Sequence, residues 1–238
     1  MDKRFSGRTA LITGSASGIG AATAALLQAE GARIIGVDLS QGRDVASPEM
    51  WDALASELVD TDVAVVNAGI ATAGQIADMD FTDWRRTLSV NLDGAMLTLR
   101  AAMRAMIAHG RGGAIVVTAS ISGIKAEPGV GAYGASKAGV IQLARIAAKE
   151  GAPHAIRVNA IAPGGVDTPI WDDVDFFPAM IAEHGSREGA IDAMAKAATP
   201  LGRWASADET ARQISFLLSD DAASITGAVL AADGGYSL

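Results

Sequence analysis

The chain has 238 residues, half of them hydrophobic, and 27 acidic against 19 basic residues give a formal net charge of −8. That length suits one α/β domain with a full core, and an acidic chain without a basic run is a poor partner for nucleic acid or an anionic membrane. The absence of cysteine excludes disulfides and thiolate metal sites, and His109, His154 and His184 are too scattered for metal-ligand spacing. No apolar run spans a membrane without a charge or glycine break, and Met1–Phe5 leads almost directly into a strand, so we expect no signal peptide and a cytoplasmic protein.

Apolar β-like runs alternate with helical segments, the pattern of a parallel sheet with helices on both faces. Thr9–Thr13 is the first strand, Gly18–Glu30 the following helix, and Ala32–Asp38 the second strand. Pro48–Leu58 reads as a helix with proline in its first turn, and Asp62–Asn67 as a strand apolar on both faces. A long helix is predicted over Thr82–Ala108, a strand over Ala114–Thr118, a helix over Gly131–Glu150 and a strand over Ile156–Ile161. Thr168–Pro200 is the least regular region, and such a segment in a compact domain is more often a lid than a linker. Ser206-Ala207-Asp208-Glu209 is a capping box opening a helix through Leu218, and Val229–Ala232 is the last strand. One stretch does not fit. Only Leu39–Arg43 separates Asp38 from Asp44-Val45, too few residues for a parallel crossover. Either the third strand is irregular or this corner is reduced to a loop.

Thr13-Gly14-Ser15-Ala16-Ser17-Gly18-Ile19-Gly20 lies between the first strand and its helix. Glycines there let the backbone approach a pyrophosphate, and the helix start offers free N–H groups and a partial positive charge. Asp38 ends the next strand, where a carboxylate can take hydrogen bonds from adenosine ribose hydroxyls. Asn67-Ala68-Gly69 ends the strand after that. In open α/β sheets ligands sit at the carboxyl ends of strands, which puts Gly14, Asp38, Asn67 and Ser120 on one rim.

Tyr133 and Lys137 are four apart on a predicted helix and share a face. A nearby ammonium favours phenolate, so Lys137 is expected to lower the phenol pKa and fit Tyr133 for acid/base work. The bland alternative is a solvated Tyr/Lys pair. Ser120 at a strand end can hold a substrate oxygen. Asn91 is an unfavourable residue within a helix, which requires a reason: a held water, or a local backbone bond. Pro163-Gly164-Gly165-Val166-Asp167-Thr168 follows a strand, where its backbone and the Thr168 hydroxyl can meet a carboxamide and phosphates.

Together with the near-terminal Asp233-Gly234-Gly235, these motifs resemble the short-chain dehydrogenase/reductase family across nearly the whole chain. The resemblance implies a Rossmann-type, three-layer α/β/α fold in a single domain, shortened after the second strand. It implies that Tyr133 is the acid/base, that Lys137 binds the nicotinamide ribose and tunes Tyr133, that Ser120 positions the substrate oxygen and that Asn91 holds the water of a proton relay. Gly14, Ser17, Gly18, Ile19 and Gly20 would bind the cofactor phosphates. Asp38, Leu39, Asp44 and Val45 would meet the adenosine end, and Asn67, Ala68 and Gly69 the middle. Pro163, Gly164, Val166 and Thr168, with Tyr133 and Lys137, would meet the nicotinamide end. The family's usual Asn-Asn-Ala-Gly reads Val66-Asn67-Ala68-Gly69 here, and the short crossover leaves the adenine contacts open.

The expected activity is hydride transfer between NAD(H) and a secondary alcohol or ketone, without a metal. Two alternatives are a dinucleotide-binding regulatory protein without chemistry, and an NADPH-dependent 3-oxoacyl-thioester reductase. The first predicts erosion of Ser120, Tyr133 or Lys137. The second wants basic residues near Asp38, where Ser17 offers none and only Arg43 is close in sequence. Residues 168–200 are expected to form a mobile lid. Trp171, Phe176, Phe177, Met180 and Ile181 would line it for a bulky apolar substrate, and Asp172, Asp173, Asp175 and Glu183 would disfavour polyanions. A homotetramer is expected, from the resemblance and from the apolar Leu97, Leu99, Met103, Met106, Ile141, Leu143 and Ile146 on two helices.

Overall fold

A computed structural model describes residues 3–174 and 176–238; the side chain of Asp173 and the whole of Asp175, both named above as lid acids, lie outside the described residues. In chain order the main elements are β1 (Thr9–Thr13), α1 (Gly18–Ala29), β2 (Arg33–Val37), α2 (Pro48–Leu54), β3 (Thr61–Val66), α3 (Phe81–Leu88), α4 (Gly94–His109), β4 (Gly113–Thr118) and α5 (Gly131–Gly151). β5 (Ile156–Pro163), β6 (Val166–Asp167), α6 (Phe177–His184), α7 (Arg187–Ala198), β7 (Ala205–Ser206), α8 (Ala207–Leu218) and β8 (Val229–Ala232) follow.

Six strands form one parallel sheet in the order β2-β1-β3-β4-β5-β8, so the chain reverses direction across the sheet between β1 and β3. Successive residues of a strand point to opposite faces, and the core divides accordingly. Leu11, Ala64, Val66, Ile115 and Val117 join the cluster with Leu97, Ala102, Val140 and Ala144 of α4 and α5. Ala10, Ile12, Val63, Val65 and Val116 join Leu27 of α1 and Ile214, Leu217 and Leu218 of α8. Both faces of the sheet are covered, as a parallel sheet requires.

The short corner after β2 is a loop. A 3₁₀ turn spans Leu39–Gln41, Gly42 takes φ +72°, and no strand forms before α2, which leaves β2 at the sheet edge. Arg43 covers that edge: its guanidinium donates to the Gly36 carbonyl at 3.0 Å and meets Glu57 at 3.3 Å. Trp51 Nε1 donates to the Val45 carbonyl at 2.9 Å, and Val45 packs on Gly94, where a Cβ would lie 2.8 Å from Val45 Cγ2.

Three other expectations are corrected. The predicted helix over Thr82–Ala108 is interrupted by a π-turn at Ser89–Asp93, which carries Asn91. The region 168–200 is not irregular, since it folds as the hairpin of α6 and α7. Trp171, Phe177, Met180 and Ile181 pack there with Val174, Ile191 and Trp204 in a satellite core, and Phe176 is the lid aromatic left exposed. Of the apolar residues assigned to an intersubunit face, Leu97, Leu99, Met106 and Ile141 are buried in the chain's own core; Met96 and Ile107 are exposed instead.

Candidate active site

The rim at the carboxyl ends of the strands gathers the expected residues. Gly14 sits at φ +65°, and a Cβ on Gly20 would fall on the Gly14 carbonyl oxygen, so the turn closes this tightly only with glycine at both positions. Ser17 caps α1 without a side-chain bond, unlike Ser206 with its full capping box, so the first-turn N–H groups of α1 stay free for an anion. The turn is tied to its neighbours. Thr13 Oγ1 accepts from the Asn67 and Ala68 N–H groups at 2.9 and 3.1 Å, and Asn67 Nδ2 donates to the Thr13 carbonyl at 3.2 Å. Thr168 comes from the far side: a Cβ on Gly18 would lie 3.2 Å from its Cβ.

Asp38 faces the same turn. One carboxylate oxygen accepts from Ala16 N at 3.0 Å, and the other from Ser40 N at 3.0 Å and Ser40 Oγ at 2.7 Å. Burial pushes this carboxyl up, but the bonds from Ser40 and Ala16 outweigh it and hold Asp38 below its ordinary value. Leu39 beside it is 74% exposed, an apolar surface next to an anion. Asp44 is exposed and accepts from Ala46 N at 2.9 Å.

The second half of the site stands on α5. Lys137 is buried and donates to the Thr118 carbonyl at 2.9 Å. Tyr133 lies one turn earlier, its ring centroid 5.6 Å from Lys137 Nζ, and the Ser120 side chain is the polar group that acts on its hydroxyl. The turn after Ser120 reaches α5 because two glycines permit it. A Cβ on Gly123 would sit 2.6 Å from the Lys137 carbonyl carbon, and one on Gly134 would sit 3.0 Å from the Ser122 carbonyl oxygen. Asn91 Oδ1 accepts from Ile70 N at 2.8 Å, while Nδ2 donates to the Ile70 carbonyl at 2.9 Å and to Ser136 Oγ at 3.0 Å. Gly69 bridges the halves, since a Cβ there would be 3.2 Å from Asn91 Oδ1 and 3.4 Å from Lys137 Nζ.

Gly164 backs onto Asp233, where a Cβ would lie 2.9 Å from its Cα; the Asp233 carboxylate accepts from Gly235 N at 3.0 Å and Ser237 N at 2.8 Å. Asp233 is therefore a turn former that shapes the rim. Trp171 Nε1 donates to the Val166 carbonyl at 2.9 Å, which fixes the strand holding Val166. Sequence reasoning placed Thr13 in the glycine turn but missed its hydroxyl as the tie to Asn67 and Ala68, and it missed Thr118 and Gly123. Only Gly123 left a signal, as a glycine three residues past Ser120.

One electrostatic expectation is overturned. Burial pushes the Tyr133 phenol up, and the Ser120 side chain only partly pulls it back; Lys137 does not bring it below the ordinary value. One N–H of the ammonium goes to the Thr118 carbonyl, and burial pushes its pKa down to about 8. An unfolded lysine keeps its proton to about 10.4, so between these values the unfolded chain binds more protons and stability rises with pH. We expect the wild type to gain stability from about pH 8 to pH 10, by up to about 3 kcal/mol from this group. Lys137→Met should lose that gain, read as the difference in denaturant midpoint between the two proteins along a pH series. Parallel slopes would place the titration elsewhere.

The family model described as Enoyl-(Acyl carrier protein) reductase matches residues 42–237. Cis-4-hydroxycyclohexanecarboxylate dehydrogenase of Sinomonas cyclohexanicum is 39% identical over 261 aligned positions, covering 100% of this chain and 99% of that one. The alignment outruns the chain's 238 residues, so it carries gaps on this chain's side. Carveol dehydrogenase of Mycobacterium avium, solved in complex with NAD, superposes with a TM-score of 0.90 at 29% identity, covering 98% of each chain. A short-chain type dehydrogenase/reductase from Mycobacterium marinum gives 0.84 at 32% identity, covering 99% of this chain and 97% of that one. With the motifs in order on this sheet and relatives matched from end to end, the chain belongs to the short-chain dehydrogenase/reductase family.

Proposed function

We propose that this chain interconverts a secondary alcohol and its ketone, with NAD(H) as hydride partner, on a substrate with a bulky apolar body. The observation that carries this reading is the Ser120–Tyr133 hydroxyl pair set over a buried Lys137. The relatives named for a hydroxycyclohexane acid and for carveol support it. A non-catalytic dinucleotide binder would have no use for a buried lysine beneath a serine–tyrosine pair.

When bound, the nicotinamide supplies or accepts the hydride. The Ser120 hydroxyl donates to the substrate oxygen. Tyr133 gives that oxygen its proton in reduction and withdraws it in oxidation. Its pKa, held up by burial, keeps the phenol protonated and ready as an acid until positive charge on the oxidised ring favours phenolate. Lys137, anchored by the Thr118 carbonyl, aims its remaining N–H donors toward the ribose, and Asn91 Oδ1 retains a lone pair for the relay water. Gly14, Ser17, Gly18, Ile19 and Gly20 would hold the pyrophosphate. Asp38, Leu39, Asp44 and Val45 would hold the adenosine, Asn67, Ala68 and Gly69 the middle of the cofactor, and Pro163, Gly164, Val166 and Thr168 the nicotinamide. The hairpin of α6 and α7 would cover the substrate end.

A panel of cyclic and acyclic secondary alcohols and ketones, run with NAD(H) and NADP(H) and followed at the nicotinamide absorbance, tests this directly. Turnover of bulky neutral ring substrates with NAD(H) is expected, and no turnover across the panel would overturn the reading. We also propose a homotetramer. Met96 and Ile107 on α4 and Ile146 on α5 are exposed apolar residues on neighbouring helices, with Met103 and Leu143 half-buried beside them against the core. Light scattering at micromolar concentration should give four times the chain mass; a monomer mass would refute it.

A further inference from the structure

The segment 121–130 leaves Ser120 and enters α5 just before Tyr133, so on the function proposed above it borders the substrate. Within it, the Lys125 ammonium lies 3.8 Å from the centroid of the Tyr236 ring, donates to the Tyr236 carbonyl at 3.1 Å and stands 3.5 Å from Glu127. Burial and the nearby Glu127 carboxylate push the Tyr236 phenol up to about 12, so it stays protonated at any working pH.

Topology gives this contact its meaning. β5 stands between β4 and β8. Lys125 follows β4 and Tyr236 follows β8, so they meet only by closing over the carboxyl end of β5, which carries Pro163 and Gly164. The segment after β8 is also held to the end of α7: Leu201 N donates to the Gly234 carbonyl at 3.1 Å, and a Cβ on Gly235 would lie 3.0 Å from Pro200 Cγ. It thus touches the serine–tyrosine segment, the nicotinamide-side loop and the helical hairpin together.

We propose that Lys125, Glu127 and Tyr236 form a clasp that walls the substrate end of the cleft, making Tyr236 a substrate-positioning residue and the Lys125–Glu127 pair a filter for charge. With cation and carboxylate cancelled, the wall presents a ring and no net charge, which suits a neutral alicyclic alcohol or ketone. Releasing the ammonium from its carboxylate would favour a substrate bearing an anion at its far end.

The probes are cyclohexanol and 4-hydroxycyclohexanecarboxylate with NAD. Tyr236→Leu is expected to raise KM for cyclohexanol about tenfold, the scale of one apolar contact with an aromatic ring. Its kcat, and its NAD affinity read by fluorescence titration, should stay within about twofold. Tyr236→Phe, which keeps the ring over Lys125, should fall between. Glu127→Gln should raise the carboxylate-to-neutral ratio of kcat/KM about tenfold. An unchanged KM in Tyr236→Leu, or an unchanged ratio in Glu127→Gln, would overturn the clasp. So would parallel losses in KM, kcat, NAD affinity and thermal midpoint, which mark a scaffold contact only. The proposed chemistry fails separately, by wild-type inactivity or by an active Tyr133→Phe.

Discussion

Replacing Tyr133 by phenylalanine should lower kcat by about a thousandfold, within the span set by general acid–base catalysis. The change removes one oxygen and leaves the ring against Lys137. Ser120 loses the phenol as a polar neighbour, but its Oγ still accepts from Ser122 N and can turn to water, so folding should survive. NAD titration by fluorescence and the thermal midpoint should therefore stay near wild type while turnover collapses. A Phe variant with near-normal kcat would remove Tyr133 from the chemistry and pass the proton transfer to another group.

The second large effect concerns cofactor choice. Wild type should prefer NAD over NADP by about 100-fold or more in kcat/KM, because a carboxylate facing a 2′-phosphate costs several kcal/mol at close approach, and each factor of ten is about 1.4 kcal/mol. Three bonds from Ala16 and Ser40 keep Asp38 ionised and pointed at the glycine turn. Arg43, the residue that could welcome a phosphate, is committed to the Gly36 carbonyl and to Glu57. Asp38→Ala should shrink the preference at least tenfold. Asp38→Asn, which keeps the hydrogen-bonding shape without the charge, separates repulsion from positioning. An NADP-preferring wild type would show that Arg43 leaves Glu57 for the phosphate, and would reopen the thioester-reductase alternative.

Much of this site was legible in one dimension because its parts are local. A strand, a glycine turn and a helix start are contiguous, so Thr13–Gly20 announces an anion site by itself. Tyr133 and Lys137 are one helical turn apart, and helix geometry alone puts them on one face. The order of strands and helices was equally plain, since burial on both sides of a parallel sheet writes continuous apolar runs such as Val63-Ala64-Val65-Val66. The missing crossover could be read from a count of residues.

What the sequence could not decide depends on neighbours distant along the chain. Whether the corner after β2 held an irregular strand or a loop depended on what would satisfy the exposed edge, and the Arg43 guanidinium supplies that from outside any strand. Asn91 was visible as an anomaly, but its π-turn and its bonds to Ile70 and Ser136 required segments 21 and 45 residues away. In the sequence the apolar residues of 168–200 suggest a lid lining, yet most of them pack in a satellite core, because hydrophobicity states that a side chain is covered and not by what. The sign of the Tyr133 shift had the same origin. Spacing gave the cation, but burial, which only the packed structure fixes, sets the direction of the shift. Composition, periodicity and contiguous motifs thus determined the fold class and the chemical groups. Tertiary packing decided which groups meet, which are already spent on a partner, and which stay free to act.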